Sequence, residues 1–218
     1  MPKIPSRTQY NFNPFYGQRI DNEDILQSVC SDANLYCNPF TEALSSWSNI
    51  IERLCSGQIG CIMRGRYEIG PRALGNRSII ALAEFKYNHF RINAIKRREQ
   101  WRPLAPAVLE ENFSKYFSGV RNPYMLMTNK VLNIDLLPAI THTDGSARVQ
   151  CVLPIHNNFY SLLKTLATYR ADIHPVIINT SLNGKNQPML NDCYDLVKLV
   201  AQSQLDFAIT DNYLIFKS

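Results

Sequence analysis

The chain has 218 residues, of which 45% are apolar, 11% aromatic and 19% charged, and its formal net charge is +5. This composition is typical of one folded soluble domain with a sizeable core. No stretch approaches the roughly 18 apolar residues that a membrane span needs, and the first ten residues lack the apolar region of a secretion signal. We therefore expect a cytoplasmic protein with no membrane partner.

The cysteines and histidines give no sign of a disulfide framework or a metal site. The six cysteines form no C-x-x-C motif, and the four histidines are scattered with no pair at metal-ligand spacing. We expect reduced cysteines and no transition-metal site built by this chain alone. The basic charge balance permits nucleic-acid binding without favouring it, so nucleic acid is not the partner that we expect.

Predicted helices and strands alternate along the chain. Residues 1–20, rich in Pro, Asn and aromatic residues, are predicted to form an N-terminal arm, and residues 21–218 one domain. In chain order we predict a short helix after Asp21, a helix from Thr41 to Gly57, strands at 58–64 and 78–83, a helix at 87–98, an extended segment at 106–109, a loop or helical turn at 113–119, a strand at 124–128, a tight turn at 144–145, a strand at 147–153, a helix at 158–170, a strand at 175–178, a helix after Asp192, and strands at 207–210 and 213–217.

Hydrophobic spacing supports the fold class. Apolar residues recur at helical spacing from 43 to 54 and from 159 to 166, whereas the apolar run at 175–178 is short and continuous, as in a buried strand. Elements that alternate in this way predict an α/β (α+β mixed) fold with a mixed sheet.

Positive charge is concentrated between Arg64 and Arg102, a segment that begins R-G-R-Y-E-I-G-P-R-A-L-G-N-R-S. It holds ten basic and three acidic residues, a net charge of +7, so the rest of the chain is slightly acidic. Its first half also carries three glycines, which are costly inside a helix or strand. The segment is therefore typical of a site that holds phosphate or carboxylate. For Arg91 to Arg98 alone, a solvated basic helix is an equal alternative.

Three polar loops lie at the ends of predicted strands, at 64–78, 143–148 and 179–184. The first two offer guanidinium groups, and the third offers neutral amides and hydroxyls. A cationic wall opposite a neutral polar wall fits a small ligand with an anionic end and an amide-like end. A simple turn is an equal alternative for 179–184, and a hairpin is the favoured interpretation of Asp144-Gly145.

No activated nucleophile is evident. Ser78 and Ser181 have no histidine placed to activate them, and the chain lacks the P-loop motif G-x-x-x-x-G-K-[ST]. The chemistry that the residues favour is electrostatic, in which cationic side chains neutralise phosphate charge while one group displaces another.

Four motifs in order resemble those of the C-terminal, YrdC-like domain of O-carbamoyltransferases: G-R-Y-E-I-G-P-R-A-L-G-N-R-S-I, K-R-R-E-Q-W-R-P-L-A-P, T-H-T-D-G-S-A-R-V-Q and I-N-T-S-L-N-G-K-N-Q-P-M. That family includes nodulation-factor, antibiotic and toxin carbamoyltransferases, and the likeness runs from about Phe15 to Phe216. The resemblance implies a YrdC-like twisted mixed sheet flanked by helices. It also implies that the domain binds carbamoyl phosphate and ATP, with Mg²⁺, and forms carbamoyladenylate for transfer to a hydroxyl acceptor.

The resemblance assigns the phosphate-holding and catalytic roles to basic residues. Arg72, Lys96 and Arg102 would hold phosphates of carbamoyl phosphate or of the nucleotide. Arg148 would clamp the phosphate or the adenylate.

Further substrate-binding roles fall to amide, hydroxyl and guanidinium side chains. Asn179 and Ser181 would contact the carbamoyl group or its phosphate. Asn76, Arg77 and Asn183 would shape the loops or make second contacts with the substrate.

Two departures from the family pattern matter. The family usually shows Gly-Glu-Pro where this chain has Asn186-Gln187-Pro188. Family members also carry an N-terminal actin-like-ATPase domain with a histidine-bound metal, and that half is missing from this sequence. We therefore expect a separate transfer subunit of the actin-like-ATPase fold as a partner. Two alternatives stay open: a catalytically degenerate structural or regulatory subunit of a split carbamoyltransferase, and a basic RNA-binding module.

Overall fold

The computed structural model describes residues 12–41, 44–169, 172–185 and 187–217. The helices are α1 (Leu26–Asp32), α2 (Leu44–Cys55), α3 (Lys86–Ile95), α4 (Phe113–Tyr116), α5 (Asn157–Tyr169) and α6 (Cys193–Gln202). The strands are β1 (Leu35–Pro39), β2 (Gly60–Met63), β3 (Arg77–Leu82), β4 (Ala105–Leu109), β5 (Phe117–Ser118), β6 (Asn129–Val131), β7 (Ser146–Ala147), β8 (Gln150–Val152), β9 (Val176–Ser181), β10 (Phe207–Ile209) and β11 (Tyr213–Lys217). None of the helices in these ranges has the length and apolar character to cross a membrane.

Eight strands form one mixed sheet in the order β1-β11-β10-β2-β3-β9-β4-β8. Two neighbouring pairs, β10 with β2 and β4 with β8, are parallel, and the other pairs are antiparallel. A smaller antiparallel sheet has the order β5-β6-β7. The fold is therefore the expected α/β fold, with a mixed sheet flanked by helices.

Helices cover both faces of the large sheet, and β3 shows why its sequence is apolar from Ile79 to Leu82. Because successive side chains of a strand point to opposite faces, Ile79 and Ala81 pack in the core that includes α1, α3 and α6, whereas Ile80 and Leu82 pack in the core that includes α2 and α5. All six residues of β3 are buried. A strand at the centre of two cores thus needs a continuous apolar run.

Local signals set the ends of two helices as predicted. The Asp192 side chain accepts a hydrogen bond from the Tyr194 backbone N–H at 2.7 Å and so caps α6. Gly57, just beyond α2, has φ +82°, a left-handed conformation that glycine adopts without strain.

The strand predicted at 124–128 is wrong. The Oδ1 atom of Asn122 accepts the N–H groups of Tyr124 (2.9 Å) and Leu126 (3.2 Å), and Met125 has φ +54°. A side chain that binds nearby backbone in this way competes with a strand ladder. The strand of this region, β6, begins one residue later, at Asn129.

Two further predictions need adjustment. The single strand predicted at 147–153 is divided into β7 and β8, with Arg148 between them, after the expected turn at Gly145 (φ +74°). The predicted N-terminal arm at 1–20 lies partly outside the described residues. Residues 12–20 contain no helix or strand, and they run beside Tyr67, whose N–H donates to the Gln18 carbonyl at 3.1 Å.

Candidate functional site

Strand directions bring four polar segments to one end of the large sheet. β2 and β9 run toward that end, and β4 and β8 start from it, because β2 and β9 are antiparallel to β3 and β4 is antiparallel to β9. The segments are 64–76 after β2, 181–183 at the end of β9, 96–104 before β4 and 148–149 before β8. The predicted strand-end loops therefore meet at one place.

The loop between β2 and β3 (residues 64–76, called here the β2–β3 loop) carries Arg72, and a hydrogen bond from Gln150 to the Leu74 carbonyl ties this loop to the segment that carries Arg148. Burial lowers the pKa of the Arg148 guanidinium, and the positive charge of Arg72 lowers it further. Within the described residues no carboxylate lies within ion-pair distance of either side chain. We call Arg72 and Arg148 the arginine pair; two like charges held together without a carboxylate suit a phosphate group.

Two buried side-chain amides donate hydrogen bonds to carbonyl groups of the β2–β3 loop. Asn179 donates from Nδ2 to the Ala73 carbonyl at 2.9 Å, and Gln150 donates from Nε2 to the Leu74 carbonyl at 2.9 Å. Asn179 also donates to Gln150 Oε1 at 2.7 Å. The backbone that follows Arg72 is therefore fixed to β9 and β8.

Two buried charged residues hold the inner side of the same loop. Glu68, 1% exposed, accepts through Oε1 the N–H groups of Leu74 (2.6 Å), Asn76 (2.7 Å) and Arg77 (3.3 Å). The Arg77 guanidinium, 0% exposed, donates to the carbonyls of residues 64, 65 and 76 at 2.8–3.1 Å and to Asn191 Oδ1 at 2.6 Å. These contacts make the loop a packed structure.

Lys96 joins the segment before β4 to the end of β9. Its Nζ donates to the Ser181 carbonyl (2.6 Å) and Oγ (3.3 Å), and to the Asn183 carbonyl (3.1 Å) and Oδ1 (2.8 Å). Ser181 Oγ in turn donates to Asn183 Oδ1 at 2.7 Å. We call Lys96, Ser181 and Asn183 the lysine cluster.

Burial and like charge both act on the lysine cluster. Burial, with a smaller contribution from the Arg98 charge, lowers the pKa of Lys96 to about 7. Burial and the Arg102 charge likewise lower the pKa of Arg98 to about 10. Of these cations only Arg102 has a carboxylate within ion-pair distance in the described part of the chain, at 3.5 Å from Glu99. An anion that bound here would relieve the repulsion.

Several buried polar atoms at this end of the sheet have no hydrogen-bond partner among the described residues. They include the donors Arg72 Nε and Arg98 Nη2 and the acceptor Asn179 Oδ1. Buried polar groups are nearly always paired in folded proteins. Unpaired donors from arginines and an unpaired amide oxygen fit a ligand with anionic and amide-like ends.

The basic residues predicted from the sequence differ in their exposure to solvent. Arg72, Arg148 and Arg102 present guanidinium groups at least partly to solvent, whereas Lys96 is 7% exposed. Arg77 is wholly buried and donates to three carbonyls of the loop, and the loop-shaping role stays a prediction.

The predicted amides are also engaged with the protein. Both Asn179 donor bonds go to protein oxygens, which leaves its Oδ1. Asn76 donates to the Arg66 carbonyl at 2.8 Å and accepts from Asn158 Nδ2 at 2.9 Å. Asn186, the first residue of the departure from the family pattern, lies outside the described residues.

Sequence reasoning missed Glu68, Gln150 and Arg98. Glu68 is the one acidic residue between Arg64 and Arg77, and that isolation was a usable signal. Arg98 stands in the K-R-R run, but its half-buried position depends on the fold. Gln150 lies in a predicted strand, where nothing local distinguishes a loop-holding amide from a surface one.

Two cavities flank the described site. One of about 440 Å³ lies between the β2–β3 loop and the start of α5 and is lined by residues that include Arg64, Arg66, Asn76 and Asn158. The other, about 790 Å³, lies between the end of α3, residues 184–185 and 187–192, and α6, and its lining mixes acidic and basic side chains. Asn76 connects the first cavity to the loop that carries Arg72.

Solved structures of HypF share the fold. HypF in a phosphate- and nucleotide-bound form superposes with a TM-score of 0.53 at 18% identity over 77% of this chain and 25% of that chain. HypF of T. kodakarensis gives a TM-score of 0.53 at 16% identity over 81% of this chain and 25% of that chain. This likeness supports the YrdC-like fold class.

Curated relatives resemble the chain more closely in sequence. Nodulation protein NolNO of Sinorhizobium fredii is 38% identical over 177 residues, which are 78% of this chain and 26% of the relative. A 3'-hydroxymethylcephem-O-carbamoyltransferase of Amycolatopsis lactamdurans is 41% identical over 146 residues, which are 66% of this chain and 28% of the relative. The chain therefore spans only about a quarter of the length of these relatives.

A protein-family model described as the carbamoyltransferase C-terminus matches residues 51–217. The match includes every strand from β2 to β11 and all four motifs of the site. The chain thus belongs to the carbamoyltransferase C-terminal family.

Proposed function

We propose that this domain binds carbamoyl phosphate and ATP and forms carbamoyladenylate, for O-carbamoylation of a hydroxyl acceptor. The observation that carries the proposal is the arginine pair and the lysine cluster at one end of the sheet. Four cations there have no carboxylate at ion-pair distance among the described residues: Arg72, Arg148, Lys96 and the neighbouring Arg98. Family membership supports carbamoyl transfer, and the HypF structure bound to phosphate and nucleotide supports those ligand classes.

The proposed reaction has two steps. Carbamoyl phosphate and water give carbamate and inorganic phosphate. A carbamate oxygen then bonds to the α-phosphorus of ATP while the bond from that phosphorus to the pyrophosphate oxygen breaks. Both steps move charge among phosphate oxygens, so fixed cations can supply most of the stabilisation.

Named residues take roles that follow from their environment. Arg72 and Arg148 would grip one phosphate bidentately, since neither is bound to a carboxylate. Lys96, with Arg102 nearby, would neutralise a second anionic group. Ser181 and Asn183 would orient that group, and the unpaired Oδ1 of Asn179 would accept a hydrogen bond from the carbamoyl NH₂.

In this proposal Mg²⁺ binds only together with ATP. The described residues contain no group of three or more His, Cys, Asp or Glu side chains placed to hold a metal ion. Mg²⁺ bound through the nucleotide's phosphates is consistent with its usual behaviour. No step above is routed through it.

Transfer to the acceptor needs more than this domain in our proposal. The relatives are three to four times longer than their matched portions, and we propose that a subunit of the actin-like-ATPase fold delivers the carbamoyl group. We also propose a cytoplasmic location, in keeping with the buried Cys30, Cys61, Cys151 and Cys193, none of which forms a disulfide.

A coupled assay tests the proposal. The chain with carbamoyl phosphate, ATP and Mg²⁺ should release pyrophosphate and yield a carbamoylated AMP. Omission of carbamoyl phosphate should abolish both products, and Arg148→Ala should lower both in parallel. No product from the folded chain, even after a candidate transfer subunit is added, would contradict the proposal.

A structural subunit is the second candidate, and one observation favours it. The Lys96 ammonium, with three N–H donors, already lies within hydrogen-bond distance of four protein oxygens, as expected of a structural cross-link. If Arg72→Ala and Arg148→Ala leave partner assembly and the activity of the assembled complex unchanged, this candidate replaces the first.

A further inference from the structure

Glu68 is the one acidic side chain at the core of the β2–β3 loop, and the reaction proposed above does not use it. Its Oε1 atom accepts three backbone N–H groups, from Leu74, Asn76 and Arg77, at 2.6–3.3 Å. Its Oε2 atom is buried and has no hydrogen-bond partner among the described residues. A buried carboxylate is costly unless charge or hydrogen bonds compensate it, so this position needs a specific reason.

Arg77 supplies the compensating charge. Both residues are almost fully buried, at 1% and 0% exposure. Burial lowers the pKa of Arg77, and the negative charge of Glu68 offsets part of that lowering. All the hydrogen bonds recorded for the Arg77 guanidinium go to neutral oxygens. Glu68 and Arg77 form no ion pair within 4 Å among the described residues, but their opposite charges attract each other inside the loop, and the charge of Arg72 outside it is left for a ligand.

The opposite side of the loop is held by carbonyl contacts. Gln150 and Asn179 bind the carbonyls of Leu74 and Ala73, directly after Arg72. Glu68 binds the N–H groups of the residues that follow. Two side-chain amides, of Gln150 and Asn179, thus bind the carbonyl groups of the backbone beside Arg72. The Glu68 carboxylate binds its N–H groups.

The same contacts set the arginine pair. Arg148 lies two residues before Gln150, and Arg72 lies two residues before Leu74, so the Gln150–Leu74 bond brings the two arginine positions beside each other. Burial lowers the pKa of Arg148 and the charge of Arg72 lowers it further, which agrees with this placement. Without a fixed loop, two like charges would move apart.

We propose that Glu68 is a positioning residue, whose carboxylate holds the backbone of residues 74–77 so that Arg72 stays beside Arg148 and the pair grips a phosphate of the substrate. The inference rests on the proposed function for the identity of the ligand. Glu68 acts through Arg72 and touches no substrate. Preorganisation of this kind raises affinity. The free-energy cost of ordering the loop and bringing the cations together has already been offset when the protein folds, so it does not weaken binding.

A double-mutant cycle tests this role. Binding of carbamoyl phosphate is measured by calorimetry for the wild type, Glu68→Gln, Arg72→Ala and the double variant. Glu68→Gln keeps the side-chain shape and one carbonyl oxygen but removes the charge. We expect it to weaken binding at least about tenfold in the wild-type background and less than about twofold in the Arg72→Ala background.

Other outcomes overturn the inference. An equal loss in both backgrounds would show that Glu68 supports the fold in general, and no loss with Glu68→Gln would show that the carboxylate is not needed. No effect of Arg72→Ala would remove the residue through which Glu68 acts. A wild type that binds neither carbamoyl phosphate nor ATP contradicts the proposed function itself. The outcomes above, in contrast, require a wild type that binds carbamoyl phosphate, and they contradict only the role of Glu68.

Controls separate charge from folding. Glu111→Gln removes the same charge from an exposed pair with Lys164 and should leave binding unchanged. If Glu68→Gln does not fold, Glu68→Asp takes its place in the cycle, because it keeps the charge but cannot reach all three N–H groups. If Glu68→Asp also fails to fold, Glu68 is a residue of the fold and the inference is wrong.

Discussion

Lys96 combines deep burial with contacts that are all neutral. Its Nζ meets carbonyl, hydroxyl and amide oxygens but no carboxylate, and Arg98 lies close enough to lower its pKa. Hydrogen-bond acceptors favour the charged amine, whereas burial and Arg98 oppose it. With a pKa of about 7, Lys96 loses its charge within the physiological range.

Anion binding should therefore weaken as pH rises through 7. The folded-state pKa lies below the ordinary value of 10.5, so Lys96 is charged below about pH 7 and neutral above it. If the charged form alone contributes, its fraction falls about tenfold per pH unit well above the pKa. Calorimetric titration with carbamoyl phosphate from pH 6 to 9 measures this loss.

Lys96→Arg is the matched control for the pH profile, since arginine keeps its charge throughout this range. The ligand's own ionisation affects both proteins equally and cancels in the ratio of their association constants. That ratio should change across pH 7. Parallel profiles would show that Lys96 does not titrate there.

Arg77 should contribute strongly to stability. Its buried guanidinium makes four hydrogen bonds and faces the buried charge of Glu68. Arg77→Ala leaves that carboxylate uncompensated, which typically lowers the free energy of unfolding by about 3–5 kcal/mol. Urea unfolding measures the change, and Lys164→Ala, which removes an exposed ion pair, should be nearly neutral. Equal stability of the two variants would contradict the assignment.

At the scale of elements, the β2–β3 loop depends on its glycines. Gly70 and Gly75 have φ of +134° and +123°, a backbone region that other residues rarely adopt. A side chain at Gly75 would also meet the Phe159 ring of α5 at 2.9 Å, whereas Gly70 has no atom within 4 Å of such a position. The loop is therefore seated against α5 at Gly75.

The two glycines make a matched pair of substitutions. Gly70→Ala and Gly75→Ala share the backbone strain, which costs of the order of 1–3 kcal/mol, and only Gly75→Ala adds the contact with Phe159. We expect Gly75→Ala to lower the urea midpoint further and to weaken carbamoyl phosphate binding more. Indistinguishable variants would show that the loop is not packed on α5.

Elements with strong periodicity were predictable, and the exceptions have physical causes. The apolar spacing of α2 and α5 identified both helices, since one face of each had to be buried. β1 was missed because the sequence L-Y-C-N-P has little strand character. This segment becomes a strand by pairing with β11. At 124–128 the apolar residues resembled a strand, but Asn122 captured the backbone N–H groups.

At the scale of the whole molecule, the site exists because of strand order. β3 pairs with β9, nearly a hundred residues away, and this places Ser78 opposite Ser181. The motifs predicted loops that could face one another across a cleft, and the sheet places those loops at one end. Which residue touches which could not be predicted, because the contact of Lys96 with Asn183 depends on how α3 packs on one face of the large sheet.

The motifs predicted candidates better than they predicted roles. Basic residues stood out by local charge, and the ligand contacts of Arg72, Lys96, Arg102 and Arg148 stay predictions. The roles of Glu68 and Gln150 follow from contacts with residues 74–77, and local sequence carries no record of those contacts.

Exchange of labelled pyrophosphate into ATP tests the central claim most directly, because formation of an adenylate is reversible at that step. With Mg²⁺, the chain should incorporate label into ATP when carbamoyl phosphate is present and not when it is omitted. Arg148→Ala should reduce the exchange rate at least about tenfold, as expected when a charge-assisted contact worth more than about 1.4 kcal/mol is lost. A folded wild type with no exchange dependent on carbamoyl phosphate would contradict the account.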